Sequence, residues 1–307
     1  MDSADAGNRA TKSDVESTYK ARDVESILDL YFYRPIGFQL ARFFAAIGFT
    51  PSMVSLVGAM IGVTAGHLYY YGDLRLNVIG MGLHVLTNAL DNADGQLARL
   101  TNRGSLYGAI VDGFADYAVF LSIYVHLVLR HIAGGGSAAV WLLAIAAGVS
   151  HAVQSMMIDY YRNAYLQFVG GKRSADGNSS EAVRSAYAAT SWRTPLRNLG
   201  LRNYLNYTSQ QEAIAPNLLK LRLAVRGAAP EWLAAEFRED CRPLIKWCNG
   251  LATNPRMLLL FALLLIGRPS WYFTFELTVF NALLMYVMWR HDAVFQSLLG
   301  RITTAAN

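Results

Sequence analysis

The chain has 307 residues, of which 53% are hydrophobic and 16% charged, with a formal net charge of +5 at neutral pH. That apolar content exceeds what soluble domains carry and argues for a membrane protein. The basic surplus fits either nucleic acid or the anionic face of a bilayer until the charges are located.

Residues 1–23 are polar and lack the apolar core and cleavage site of a signal peptide, which predicts a disordered tail that stays in the cytoplasm. Residues 24–48 mix charges, aromatics and aliphatics too irregularly to span. They predict an amphipathic helix lying in the interface, kinked or divided at Pro35. A span needs roughly 20 mainly apolar residues. Such segments lie near 52–71, 76–98, 106–129 and 138–161, and again at 250–267, with a short apolar core, and at 270–290. The expected fold is an all-α polytopic membrane protein with a bundle of six transmembrane helices. Residues 49–165 hold helices one to four and 250–290 hold helices five and six. Between them, 166–249 is rich in Lys, Arg, Ser and Asn and is expected to be a cytoplasmic insertion, with helical composition in SEAVRSAYAAT and APEWLAAEFRED. Residues 291–307 form a cytoplasmic tail.

With the N-terminus inside, six spans place 99–105, the insertion and the tail in the cytoplasm. Only Arg75, Arg130 and Arg268 among the Lys and Arg residues then fall outside. The basic surplus therefore needs no nucleic-acid partner. Cys241 and Cys248, seven apart, match neither a redox pair nor a zinc knuckle. His67, His84, His126, His131, His151 and His291 show no metal-ligand spacing and predict polar contacts within the bundle.

The second span ends with Asp91 and Asp94, and the third contains Asp112 and Asp116. A carboxylate in a membrane helix costs a few kcal/mol by insertion scales, so each requires a partner. Separations of three and four residues put each pair on one helix face. The short loop makes the two helices antiparallel, so the acidic faces meet near the cytoplasmic surface. Protonation, pairing with Arg99 or Arg103, or divalent cations could relieve the repulsion. Only cations neutralise all four carboxylates while leaving them ionised. All-oxygen ligation favours magnesium or manganese. Gly95 and Ala98 lie beside Asp94, and Gly108 lies one turn before Asp112. Their missing side chains either leave room for a ligand or let helices approach closely.

The segment DNADGQLARLTNRGSLYGAIVDGFAD, residues 91–116, follows the pattern D-x2-D-G-x2-A-R-x8-G-x3-D-x3-D at every fixed position. In this it resembles the CDP-alcohol phosphotransferases of class I. The six-span layout, the interfacial helix and the fifth helix ending in LLLIGRP resemble them too, whereas 166–245 looks longer than the corresponding loop. Many members have Thr-Pro-Asn where this chain has Thr50-Pro51-Ser52. The resemblance implies that Asp91, Asp94 and Asp112 hold two divalent cations, Mg²⁺ or Mn²⁺, that grip the CDP pyrophosphate. Asp116 would be a ligand of the second cation and the general base. Gly95, Ala98 and Gly108 would make space for the cytidine. Arg99 would contact phosphate or neutralise the acidic cluster.

The resemblance further implies phospholipid synthesis, with transfer from CDP-diacylglycerol to a small polar alcohol and release of CMP. The reverse arrangement, a soluble CDP-alcohol donor with a lipid acceptor, uses the same aspartates. Ion or proton transport is the competing class, since membrane carboxylates also mark transporters; the fixed spacing favours the enzyme. For an anionic acceptor, Arg103, Arg162, Lys172, Arg173 and Arg256 are candidates, each equally explained as a positive-inside residue. The polar tract YLNYTSQQEAIAP at 204–216 could line an acceptor pocket. Family members are often homodimers.

Overall fold

A computed structural model describes residues 23–170, 180–189, 195–225 and 230–305. The tail expected at 1–23 lies almost wholly outside the described residues, as do Lys172 and Arg173. The described chain is helical without strands, and five of its helical stretches are long and apolar enough to cross a bilayer. It is an all-α polytopic membrane protein. The helix expected as the second span, Leu74–Leu100, is 27 residues long but is not among the five. Arg75, Asn77, His84, Asn88, Asp91, Asp94 and Arg99 lower its apolarity, and the site described below is built on it.

Two compact units are present. The first runs through residue 144 and includes 258–272. Here residues 27–46 are helical across Pro35, and the type of helix changes just before it. Asp29–Tyr33 forms a π-helical turn, closed by Arg34 N–H donating to the Asp29 carbonyl, and α1 (Arg34–Ala46) follows with the proline in its first turn. Helix α2 (Pro51–Leu68) begins at Thr50, whose hydroxyl accepts from the Met53 N–H at 3.3 Å. Helix α3 (Leu74–Leu100) begins at Asp73, whose carboxylate accepts from the Arg75 and Leu76 N–H groups. It ends in a Schellman turn. Asn102 takes φ +52°, its N–H reaches the Arg99 carbonyl, and the Arg103 N–H reaches the Ala98 carbonyl. Ser105 caps α4 (Leu106–Ala133) by accepting from Gly108 N–H at 3.0 Å.

Both α3 and α4 pack on α2, and α1 lies across α3. Ala41, Val54, Leu90, Ala93 and Leu97 form the α1–α2–α3 core. Glycines every fourth residue on α2 set the approach. A methyl group on Gly62 would meet Val119 Cγ2 at 2.5 Å and Thr87 Cγ2 at 3.0 Å, and one on Gly66 would meet the Ile123 backbone nitrogen at 2.9 Å. Backbone cannot yield as a flexible side chain can, so Gly66→Leu is expected to separate α2 from α4. A loss of folded yield, or a fall in Tm of several degrees in detergent, checks it; an unchanged Tm sinks it.

The second unit holds 145–257 and 273–307. It contains most of α5 (Val140–Gly170), then α6 (Ser180–Ala188), α7 (Pro195–Ile214), α8 (Pro216–Ala224), α9 (Glu231–Gly250) and the start of α10 (Thr253–Leu265). The last helix begins as α11 (Trp271–Phe275), passes through a π-helical turn at Glu276–Phe280, and continues as α12 (Asn281–Ala305). It therefore runs well past residue 290. The segments SEAVRSAYA and EWLAAEFRED are helical, within α6 and α9. Helices α8 and α9 pack against α12. In this unit the Tyr161 and His291 rings stack at 4.1 Å, with Phe237 and Phe295 beside them. Cys241 and Cys248 are buried free thiols.

Buried beneath these elements is a polar network. Arg256 Nη1 donates to both oxygens of Glu276 at 2.8 and 2.9 Å, Nη2 to Gln154 Oε1 at 2.6 Å, and Nε to the Leu251 carbonyl at 2.9 Å. Gln154 Nε2 donates to the Glu276 carbonyl and to Asn281 Oδ1, while His151 Nδ1 lies 3.3 Å from the Glu276 carboxylate. Glu276 is fully buried and Arg256 nearly so.

Candidate active site

The antiparallel pair α3 and α4 brings the four aspartates to one pocket. Asp91, Asp112 and Asp116 each offer a carboxylate oxygen, and these atoms lie within 4.8 Å of one another. Asp112 is half-buried, while Asp91 and Asp116 are exposed. Asp94 is set apart. It is buried, and its Oδ2 accepts a hydrogen bond from the Ser55 hydroxyl at 2.5 Å. The charges of Asp91 and Asp112, and more weakly Asp116, act on it. Ser55, Gly58, Ala59, Thr87, Ala115 and Val119 complete the lining of this pocket, which is partly open to solvent. The α2 wall brings Ser55 to the aspartates, and the sequence reading did not single it out. Its position one turn into the helix that starts at Thr50-Pro51-Ser52 was the available signal.

Three carboxylate oxygens at this spacing fit a divalent cation. Oxygens about 2.0–2.6 Å from one ion lie no more than about 5 Å from each other, and an all-carboxylate set suits a hard ion. Exposure of Asp91 and Asp116 leaves room for further oxygen ligands. Within the described residues this is the group of three or more such side chains that meets that spacing.

The small residues separate into two kinds. Gly62 and Gly66 are pressed against neighbouring helices, as described above. At Gly95, by contrast, an added methyl would meet only the Arg99 guanidinium, at 3.5 Å, and at Gly108 only Ser105 Oγ at 3.2 Å and Ser52 Oγ at 3.9 Å. Close helix approach thus explains the α2 glycines but not Gly95 or Gly108. Ala98 is half-buried, at the C-terminal end of the same helix.

The basic candidates scatter. Arg103 is exposed on the loop after α3. Arg162 donates to Asn249 Oδ1 within the second unit. Arg256 is committed to Glu276, Gln154 and Leu251. In the polar tract on α7, Tyr207 donates to Asp159 and Gln211 to the Met156 carbonyl, both on α5.

Loss of the Ser55 hydroxyl leaves a buried Asp94 oxygen without its donor. Ser55→Ala is expected to weaken manganese binding by about tenfold, the low end of the effect of removing a group that orients a ligand. Titration by electron paramagnetic resonance measures it, and unchanged affinity removes Ser55 from the site.

A search of curated proteins finds no match. Residues 48–174 match the family model described as CDP-alcohol phosphatidyltransferase. The match spans the segment that carries all four aspartates and the α2 wall facing them, so this site lies in the part of the chain that is similar to CDP-alcohol phosphatidyltransferases.

Proposed function

We propose that this protein transfers a phosphatidyl group from CDP-diacylglycerol to the hydroxyl of a small polar alcohol and releases CMP. The family supports transfer from a CDP-alcohol to a hydroxyl acceptor. The observation that carries the assignment to this pocket is the convergence of Asp91, Asp112 and Asp116 within 4.8 Å, beside Asp94.

Asp91, Asp94, Asp112 and Asp116 would hold two magnesium or manganese ions. Such ions, when bound, neutralise the pyrophosphate and the charge that develops on the departing CMP. Asp94 is oriented by Ser55, which keeps one carboxylate fixed while its neighbours adapt. Gly95, Ala98 and Gly108 leave space for the nucleoside, and Arg99, beside Gly95, faces its phosphates. Asp116 is the exposed carboxylate on α4 and takes the acceptor's proton. The acceptor oxygen bonds to the phosphorus that carries the diacylglycerol. The bond from that phosphorus to the CMP oxygen breaks, and the hydroxyl proton passes to Asp116. CMP leaves as the phosphate monoester.

The distribution of Lys and Arg supports a cytoplasm-facing site with both termini inside. Purified protein supplied with labelled CDP-diacylglycerol or soluble CDP-alcohols, magnesium or manganese, and a panel of alcohols tests the proposal by mass spectrometry of product lipids. Formation of a phospholipid with stoichiometric CMP is expected. CMP release only from a soluble CDP-alcohol reverses the donor assignment, and none from any donor removes the proposal.

A further inference from the structure

Next to the aspartates, on the side covered by α1, lies a second polar feature. Gln96 Nε2 donates to the Arg34 carbonyl at 3.2 Å, fixing the first turn of α1 against α3 one turn before Arg99. Gly37 makes the approach possible, since a methyl there would meet Gln96 Oε1 at 2.6 Å and the Ala93 backbone nitrogen at 3.2 Å. Arg34 is 7% exposed. Its Nη2 donates to Glu25 Oε1 at 2.6 Å, and its Nε is buried without an acceptor. Arg99 folds back over Gly95, and its Nε and Nη2 are likewise buried without acceptors. Besides burial, the groups that act most on Arg99 are Arg34 and Glu25, ahead of Asp94.

Glu25 is hydrogen-bonded to Arg34 and acts on Arg99 as well, and three buried guanidinium nitrogens of the two arginines have no acceptor. A buried N–H without an acceptor costs about 1–3 kcal/mol, more when charged. Buried charges persist when a counter-charge completes them. The α1–α3 packing alone does not account for this, because Gln96 and Gly37 already hold it through backbone contacts. What is missing is an acceptor with negative charge and more than one oxygen, which suits the fork of an arginine.

We propose that Arg34 and Arg99 form a seat for a phosphate-class oxyanion, roofed by the π-helical turn and α1, at Gly95, the residue that follows Asp94 on α3. It extends the function proposed above by giving the N-terminal helix a part in binding. The oxyanion can come from the nucleotide donor, since Gly95 lies against Arg99 and follows Asp94, or from a lipid headgroup. The same N-terminal stretch exposes Ile27, Tyr31 and Phe43, at 78%, 76% and 58%, as an interfacial helix does.

The test is calorimetric titration of the full-length protein in phosphatidylcholine nanodiscs with inorganic phosphate, in the presence of chelator. Saturable binding is expected, weakened at least tenfold by Arg34→Gln and by Arg99→Gln. Arg34→Lys and Arg99→Lys keep the charge and guard against misfolding; each should weaken binding at least threefold because the fork is lost. Asp112→Asn should retain phosphate binding. Competition by CMP assigns the seat to the nucleotide, and competition by phosphatidic acid in the disc assigns it to a headgroup. Absence of saturable binding, or equal binding by all four arginine variants, overturns the seat. Phosphate binding without any CMP release leaves the seat standing and removes the transferase reading; CMP release without phosphate binding does the opposite.

Discussion

Asp116→Asn is expected to lower CMP release by about 10²–10⁴-fold, the usual contribution of a positioned general base, while the protein still binds manganese and CDP. Asp91→Asn is expected to lose turnover and metal affinity together. The difference follows from position. Both residues belong to the triad within 4.8 Å, but Asp91 lies on α3 one turn from the Ser55-held Asp94, whereas Asp116 lies on α4 one turn after Asp112. Removing charge at 91 leaves α3 with a single buried carboxylate. Removing it at 116 leaves Asp91, Asp94 and Asp112 in place, enough to ligate a cation from both helices. Manganese affinity by electron paramagnetic resonance, CDP binding by calorimetry and CMP release by chromatography separate the two. Equal loss of nucleotide binding in both variants would falsify the division into ligand and base.

Much of this site was legible in the sequence because its determinants are local. Spacings of three and four residues fix which aspartates share a helix face, and a short loop fixes that α3 and α4 run antiparallel. Pro35, with no N–H to give, was a local signal of the same kind, and the helix changes from π to α beside it without breaking. What the sequence did not disclose depends on a third helix. Ser55 is 39 residues from Asp94, and no periodicity announces that its hydroxyl completes that carboxylate. The glycines also looked alike in the sequence. Only packing distinguishes Gly62 and Gly66, pressed against α3 and α4, from Gly95 and Gly108, where an added methyl would meet only polar side-chain ends. Arg256 illustrates the same limit. As a basic residue near a span end it suited an anionic acceptor, yet a buried glutamate twenty residues later takes its donors.

That pair carries the second large expectation. Glu276→Leu leaves Arg256 charged and buried, with Gln154 and Leu251 as its remaining acceptors. The expected cost is about 3–5 kcal/mol, as for breaking a buried ion pair from one side. Arg256→Met exposes the Glu276 carboxylate to the same penalty, with the neutral-or-charged imidazole of His151 3.3 Å away in place of a guanidinium. The double variant Arg256→Met with Glu276→Leu removes both charges at once, so it should cost less than the sum of the singles. A coupling of about 2 kcal/mol or more, within the range for residues in one network, is expected. The π-helical turn makes Glu276 sensitive in a further way. Gln154 donates to its backbone carbonyl as well as to Asn281, so loss of Gln154 should disturb the turn even with both charges present. Folding equilibria measured by steric trapping in bicelles, with Tm in detergent as a second readout, give the cycle. Additive single effects would sink the network. A raised acceptor KM in Arg256→Met at unchanged Tm would instead assign that arginine to the acceptor.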